Sequence, residues 1–263
     1  MINRIDAKFK ELKRKKKKAF IVFITAGYPS LEATYKLVLE FSRSGVDIVE
    51  LGVPFSDPIA DGPVIQESSQ AALSKKINLK DILHLVKRLR KNTGMPIALM
   101  SYYNPIFCYG EEKFIRDAKI SGVDGIIVPD LLPESGLRLM RIANKFNLHN
   151  ILFISPTTTK ERIKHITSLS RGFIYYVSLT GTTGVRQKLP ADLKHNIKII
   201  KKFTTKPVCV GFGISTPQQV RAVSSICDGV IVGSAVVKKI KENIKKPNLA
   251  KIAGNFVATL AHV

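Results

Sequence analysis

Eight short apolar runs recur along this chain at nearly even spacing, with helix-like stretches between them. The runs are Ala19 to Thr25, Val46 to Leu51, Pro96 to Ser101, Gly125 to Pro129, Asn150 to Ser155, Phe173 to Ser178, Val208 to Phe212 and Gly229 to Gly233. Each is rich in Ile, Val, Phe or Tyr and bounded by Gly, Pro, Asn or Asp, the pattern of strands buried in a parallel sheet. Amphipathic stretches separate them: Leu31 to Ser44, Leu79 to Asn92, Glu111 to Ser121, Glu134 to Phe146, Lys160 to Leu169, Ala191 to Phe203 and Pro217 to Ser225, with a closing pair at Val236 to Lys241 and Leu249 to Leu260. Start signals support several of them, such as Ser30 before Leu31-Glu32 and Thr216 before Pro217. Eight strand-helix units predict a (β/α)8 TIM barrel occupying 1–263 as one domain. Ile2, Ile5, Phe9 and Leu12 at helical spacing make 1–18 an added N-terminal helix that covers the bottom of the barrel. Periodicity does not show closure, so a doubly wound open sheet stays the structural alternative.

Composition narrows the class of protein. A chain of 263 residues with 45% hydrophobic content can bury a full barrel core. No apolar run approaches the length of a membrane span and the start lacks a secretory h-region, so a cytoplasmic protein is expected. Cys108, Cys209 and Cys227 are widely spaced without a Cys-x-x-Cys pair, which predicts reduced, packed thiols and no zinc site. His84, His149, His165, His195 and His262 show no metal-like spacing and read as surface residues. The net charge of +22 raises the question of nucleic acid. Lysines scattered over helical segments, with no interleaved aromatic platforms, argue against it. The same field can draw in an anionic substrate.

If the barrel is right, the active site forms on the rim made by the C-terminal ends of the strands. The second run places Glu50 inside Ile48-Val49-Glu50-Leu51, where an unpaired carboxylate would be costly. Asp57 and Asp61 follow on a loop rich in turn formers. Asn104, Asp130 and Tyr175 belong to other strand ends and can converge with them. A buried acid beside loop acids suits proton transfer. Gly211-Phe212-Gly213-Ile214-Ser215 after the seventh run and Gly233-Ser234-Ala235 after the eighth offer backbone N–H groups to a phosphate, with Thr180 to Gly184 as a further contributor.

Taken together, these residues resemble the tryptophan synthase alpha chain family. The match is densest at Glu50-Leu51-Gly52, Pro54 to Pro58 and Ala60 to Pro63. It extends to Ala19-Phe20, Thr25 to Gly27, Tyr102 with Asn104, Val128 to Leu131 with Pro133, Phe173 to Ser178, Gly181 with Thr183-Gly184, and Gly211 to Ser215. Thr182 departs from the apolar residue usual in the family. The resemblance implies a retro-aldol cleavage of indole-3-glycerol phosphate to indole and glyceraldehyde 3-phosphate, with no cofactor in this chain. It implies that Glu50 is the general acid, able then to serve as base, and that ionised Asp61 holds the indole N–H. Asp57 is left as a loop stabiliser. Phe23, Met100, Ile127, Tyr175 and Phe212 would line the indole slot. Thr183 would close over the substrate toward Asp61, while Gly184, Gly213, Gly233 and Ser234 would hold the phosphate. The resemblance also implies a pyridoxal-phosphate beta chain as partner in an alpha2-beta2 heterotetramer, which receives the indole. Pro54 to Asp61, Asn104 to Phe107 and Pro129 to Pro133 are the expected contact segments.

Two other readings compete. A different phosphate-binding barrel enzyme would need a catalytic Lys or His at a strand end, where this chain offers Glu and Asp. A binding subunit that chiefly activates a beta chain would show weak turnover of its own.

Overall fold

Among the residues described by the structure, a computed structural model covering 2–177, 192–211 and 213–261, eight strands alternate with helices. In chain order the first half comprises α1 (Arg4–Arg14), β1 (Ala19–Thr25), α2 (Leu31–Arg43), β2 (Ile48–Gly52), α3 (Pro63–Leu73), α4 (Leu79–Leu89), β3 (Ile97–Met100), α5 (Tyr103–Tyr109), α6 (Glu111–Ser121) and β4 (Gly125–Ile127). The second half comprises α7 (Leu137–Lys145), β5 (His149–Ile154), α8 (Lys160–Leu169), β6 (Ile174–Val177), α9 (Leu193–Ile200), β7 (Val208–Gly211), α10 (Pro217–Ser224), β8 (Gly229–Val232), α11 (Ser234–Glu242) and α12 (Leu249–Ala261). The strands pair in sequence order and β8 returns to β1, all in parallel, so the sheet is a closed barrel. Closure removes the open-sheet alternative.

The register decides which side chains share the interior. Phe23 of β1 is level with Glu50 of β2, and Glu50 with Ala98 of β3. Gly52 is level with Met100, and Met100 with Ile127 of β4. Side chains alternate along a strand, so level partners face the same side. Contacts between level or diagonal residues identify that side as the inside: the Tyr175 ring of β6 lies 4.7 Å from Phe153 of β5, and a side chain at Gly211 would collide with Tyr175. Large interior residues are accommodated by glycines beside them, as at Gly52 against Phe23.

At the bottom, α1 closes the barrel as its apolar spacing predicts. Ile5 is fully buried, and a side chain at Gly125 would lie 3.1 Å from its Cδ1. Phe9 packs against Phe173, with ring centroids 5.8 Å apart. Asn3 caps α1 by accepting from the Ile5 N–H, while its Nδ2 donates to the Asp124 carbonyl at 2.8 Å. The helix ends at Arg14, so the expected 1–18 helix is shorter, and Lys16 takes a left-handed φ of 54° as the chain turns toward β1.

Three aspartates on the bottom rim each accept from the first residues of a neighbouring strand. Asp47 accepts from Phe20 N–H, Asp124 from Ile97 N–H and Asp228 from Val208 N–H, at 2.9 to 3.0 Å. Asp124 is the hub, since its carboxylate also binds Arg4 at 2.9 Å and Arg90 at 2.6 Å. His149 differs from the surface position expected for it. It begins β5 on the inward face, is buried, and places Nε2 2.8 Å from Asp6 Oδ2 of α1. Cys209 and Cys227 are packed as expected, whereas Cys108 is exposed.

Candidate active site

Glu50 reaches the interior because β2 alternates and its neighbours Val49 and Leu51 are fully buried on the other side of the strand. Its own exposure is 0%, and neither carboxyl oxygen has a hydrogen-bond partner among the described residues. Burial without compensation favours the neutral acid and pushes its pKa up to about 8. Burial drives the phenol of Tyr175 on β6 well above its ordinary value, and the nearby Glu50 adds to that rise. Gly211 belongs to this arrangement: a Cβ there would sit 2.7 Å from the Tyr175 hydroxyl. The requirement for no side chain at Gly211 comes from Tyr175, a neighbour invisible in the local sequence.

Asp61 lies on the loop between β2 and α3 and is half-buried. Its Oδ2 accepts from the Tyr102 hydroxyl at 3.0 Å, and the Ala60 N–H donates to the same hydroxyl at 2.9 Å. The Asp61 carbonyl accepts from Gln66 Nε2 at 2.9 Å, tying the loop to α3. Burial raises the Asp61 pKa to about 6, and the Tyr102 hydrogen bond partly opposes that rise. Tyr102 stacks on Phe55 at 5.2 Å, so the hydroxyl is set by a packed ring. Pattern reasoning gives Tyr102 no task. Its only local signal is a tyrosine at the end of an apolar strand, and the bond to Asp61 depends on tertiary placement.

The other expected residues divide into three groups. Phe23, Met100, Ile127 and Tyr175 lie with Glu50 on the interior face, all at 8% exposure or less. Phe23, Gly52, Met100, Tyr102 and Asp61 line one small cavity, so strand and loop residues meet there. Gly213, Gly233 and Ser234 sit on the rim after β7 and β8. Gly213 has φ +82°, a conformation glycine adopts without strain. α11 starts at Ser234 with Gly233 as its N-cap and no side-chain cap bond, so side chains leave its first N–H groups available. By contrast, α10 is closed by a Thr216–Gln219 capping box. Thr183, Gly184 and Phe212 lie outside the described residues.

The remaining polar candidates are structural. Asp57 is exposed and bonded by the Ser56 hydroxyl, and its carbonyl accepts from Ile59 N–H. Asp130 accepts from Tyr103 N–H at 2.9 and 3.2 Å, which caps the start of α5. Asn104 accepts from Cys108 Sγ within α5. Three large apolar side chains stand exposed on the same rim: Ile59 after β2, Phe107 after β3 and Leu132 after β4, at 77%, 64% and 61%. Those strands are consecutive in the barrel, so the three residues mark one side of it. Among the described residues, no group of three His, Cys, Asp or Glu could hold a metal, and no helix is long and apolar enough to cross a membrane.

Comparison with known proteins follows the same lines. A family model described as "Tryptophan synthase alpha chain" matches residues 9–259. The tryptophan synthase alpha chain of Caldanaerobacter subterraneus subsp. tengcongensis is 46% identical over 262 residues, covering 100% of each chain. That of Clostridium acetobutylicum is 50% identical over 218 residues, covering 83% of this chain and 82% of the relative. The solved tryptophan synthase subunit alpha of Legionella pneumophila superposes with a TM-score of 0.93 at 39% identity, covering 100% of this chain and 98% of the other.

Proposed function

This chain belongs to the tryptophan synthase alpha chain family, and on that premise we propose how its own residues carry out the alpha-chain reaction, the cleavage of indole-3-glycerol phosphate to indole and glyceraldehyde 3-phosphate. The observation that carries the reading is the pair of carboxyls with pKa values pushed apart, Glu50 to about 8 and Asp61 to about 6. At neutral pH the first holds a proton and the second a charge, so one site contains both an acid and an anion.

The indole ring lies in the apolar slot of Phe23, Met100 and Ile127, with its N–H toward Asp61. Glu50 delivers its proton to C3 of the ring. The positive charge that develops on the ring nitrogen is stabilised by the Asp61 carboxylate, which Tyr102 holds in place. The carboxylate left at Glu50 takes the proton from the glycerol hydroxyl next to C3. The bond between C3 and the side chain breaks, its electron pair returns to the ring, and the hydroxyl carbon becomes the aldehyde of glyceraldehyde 3-phosphate. Protons balance, because the one Glu50 gives is replaced by the one it receives. Backbone N–H groups at Gly213, Gly233 and Ser234 bind the phosphate at the start of α11, where the helix dipole favours an anion.

Ile59, Phe107 and Leu132 form the docking side for a beta chain in an alpha2-beta2 assembly. Their support is the exposure of three large apolar residues on one side of the active-site rim. Pyridoxal phosphate belongs to that partner, which condenses the indole with serine.

The test is indole release from indole-3-glycerol phosphate, with and without a beta chain. Glu50→Gln lowers kcat by at least about 100-fold, the scale of general acid catalysis. Asp61→Asn lowers it by about 100-fold or more through lost charge stabilisation. Unchanged turnover in either variant, with the fold intact, rejects the assigned role.

A further inference from the structure

We propose that the bottom face of the barrel, opposite the catalytic rim, carries a binding site for a small multivalent oxyanion of two or three linked phosphate groups. A cavity of about 630 Å³ opens there between the end of α1 and the loop that precedes β7. That volume lies within the range of small-molecule pockets. Phe9, Leu12 and Pro207 give it an apolar floor.

Its charge is one-sided. Seven lysines line it against a single acid, Asp228. Asp228 is already occupied, with Lys201 at 2.9 Å and Lys18 at 3.8 Å. Lys206 is held by its bond to the Thr167 carbonyl at 2.7 Å, on the wall facing α1. Among the described residues Lys10, Lys13 and Lys16 form no ion pair with an acid, and Lys17 has only a longer-range attraction to Asp47. Five of the seven lysines come from α1 and the turn after it, and Lys201 and Lys206 face them from a segment more than 180 residues further along. Like charges around a concave, apolar-floored pocket focus a positive potential into it.

The backbone that carries these lysines is fixed at the end of α1. Lys16 occupies the left-handed position that ends α1, with φ 54°, where glycine or asparagine is the usual choice. The Lys16 N–H bonds the Lys13 carbonyl at 3.1 Å, and the Lys17 N–H bonds the Leu12 carbonyl at 2.9 Å. The turn is therefore fixed before any ligand arrives, which lowers the ordering cost of binding. One phosphate neutralises only part of this charge, whereas a chain of two or three can bridge α1 to the opposite wall. A ligand that bridges the two fastens α1 to the barrel and stabilises the fold by mass action.

The experiment is calorimetric titration and thermal denaturation of the whole chain with sodium tripolyphosphate in about 0.15 M salt, where long-range attraction is screened. Saturable binding is expected, with Tm raised by about 5 °C at a hundredfold excess over Kd. The triple variant Lys13→Gln/Lys16→Gln/Lys17→Gln weakens binding at least tenfold. Lys80→Gln/Lys87→Gln/Lys91→Gln, which removes equal charge at and just beyond α4, leaves it unchanged. Equal weakening by both variants, or no saturable binding, overturns the proposal. In the unsubstituted protein, tripolyphosphate protects Lys10, Lys13, Lys16 and Lys17 from acylation read by mass spectrometry. Protection spread evenly over all exposed lysines overturns it as well. So does tighter binding of a 20-nucleotide single strand abolished by the same triple substitution, which identifies a nucleic-acid surface instead.

Discussion

Glu50 and Asp61 are both carboxyls raised by burial, yet they end on opposite sides of neutrality, near 8 and near 6. The difference follows from their surroundings. Glu50 has only desolvation acting on it, while the Tyr102 hydroxyl favours the charged form of Asp61. The signs set a pH profile. In the proposed mechanism Asp61 acts ionised, so kcat/KM is expected to fall as pH drops through about 6. In the same mechanism Glu50 acts protonated, so kcat/KM is expected to fall as pH rises through about 8. A bell with its plateau between those values is expected from initial-rate measurements. A profile flat from pH 5 to 9 contradicts the assignment of both roles. Glu50 is recognisable in the sequence as a charge inside an apolar run. Its lack of a partner is not, because that depends on what the other strands bring to the interior.

At the scale of elements, the strands lie within two residues of the apolar runs, since a strand buried on both faces has to be apolar almost throughout. Two helices were not legible, α3 and α5. α3 buries Ile65, Ser68, Ser69 and Ala72, so its inward face carries one large apolar residue beside small and polar ones and shows no apolar stripe. Its Ser68 hydroxyl shares a hydrogen bond of 2.5 Å with Thr25 of β1, a contact that replaces apolar packing. α5 spans seven residues and takes its cap from Asp130, which lies 27 residues further along the chain. The loop carrying Asp61 depends on such tertiary ties. Tyr102→Phe removes the hydroxyl that both Ala60 and Asp61 use. We expect kcat/KM at pH 7 to fall about tenfold, the value of one hydrogen bond to a charged group. The acidic limb should also move to higher pH, because the bond that lowers the Asp61 pKa is gone. A loss of activity with an unmoved limb would mean that Tyr102 only supports the fold.

For the whole molecule, the barrel separates its tasks by end. The bottom holds the aspartates that accept from strand N–H groups, the Asp124 hub and the lysine-lined cavity. The top holds the carboxyl pair and the exposed apolar side formed by Ile59, Phe107 and Leu132. Phe107→Glu with Leu132→Glu should abolish stimulation of the lyase rate by a beta chain and weaken association at least 100-fold, as measured by sedimentation and rate titration. Two central apolar contacts are worth that much when they anchor an interface. Undiminished stimulation would move the docking side elsewhere. The sequence by itself determined the alternation of elements, the positions of Glu50 and Asp61, and the glycine turns on the rim, because periodicity, burial cost and backbone freedom are local properties. Only the tertiary structure decided that the sheet closes and that Tyr175 requires the glycine at Gly211. It also placed Tyr102 on Asp61, buried His149 beneath α1, and gathered distant lysines into one cavity. These are contacts between residues far apart in the chain, and they exist only once register and closure fix which side chains meet.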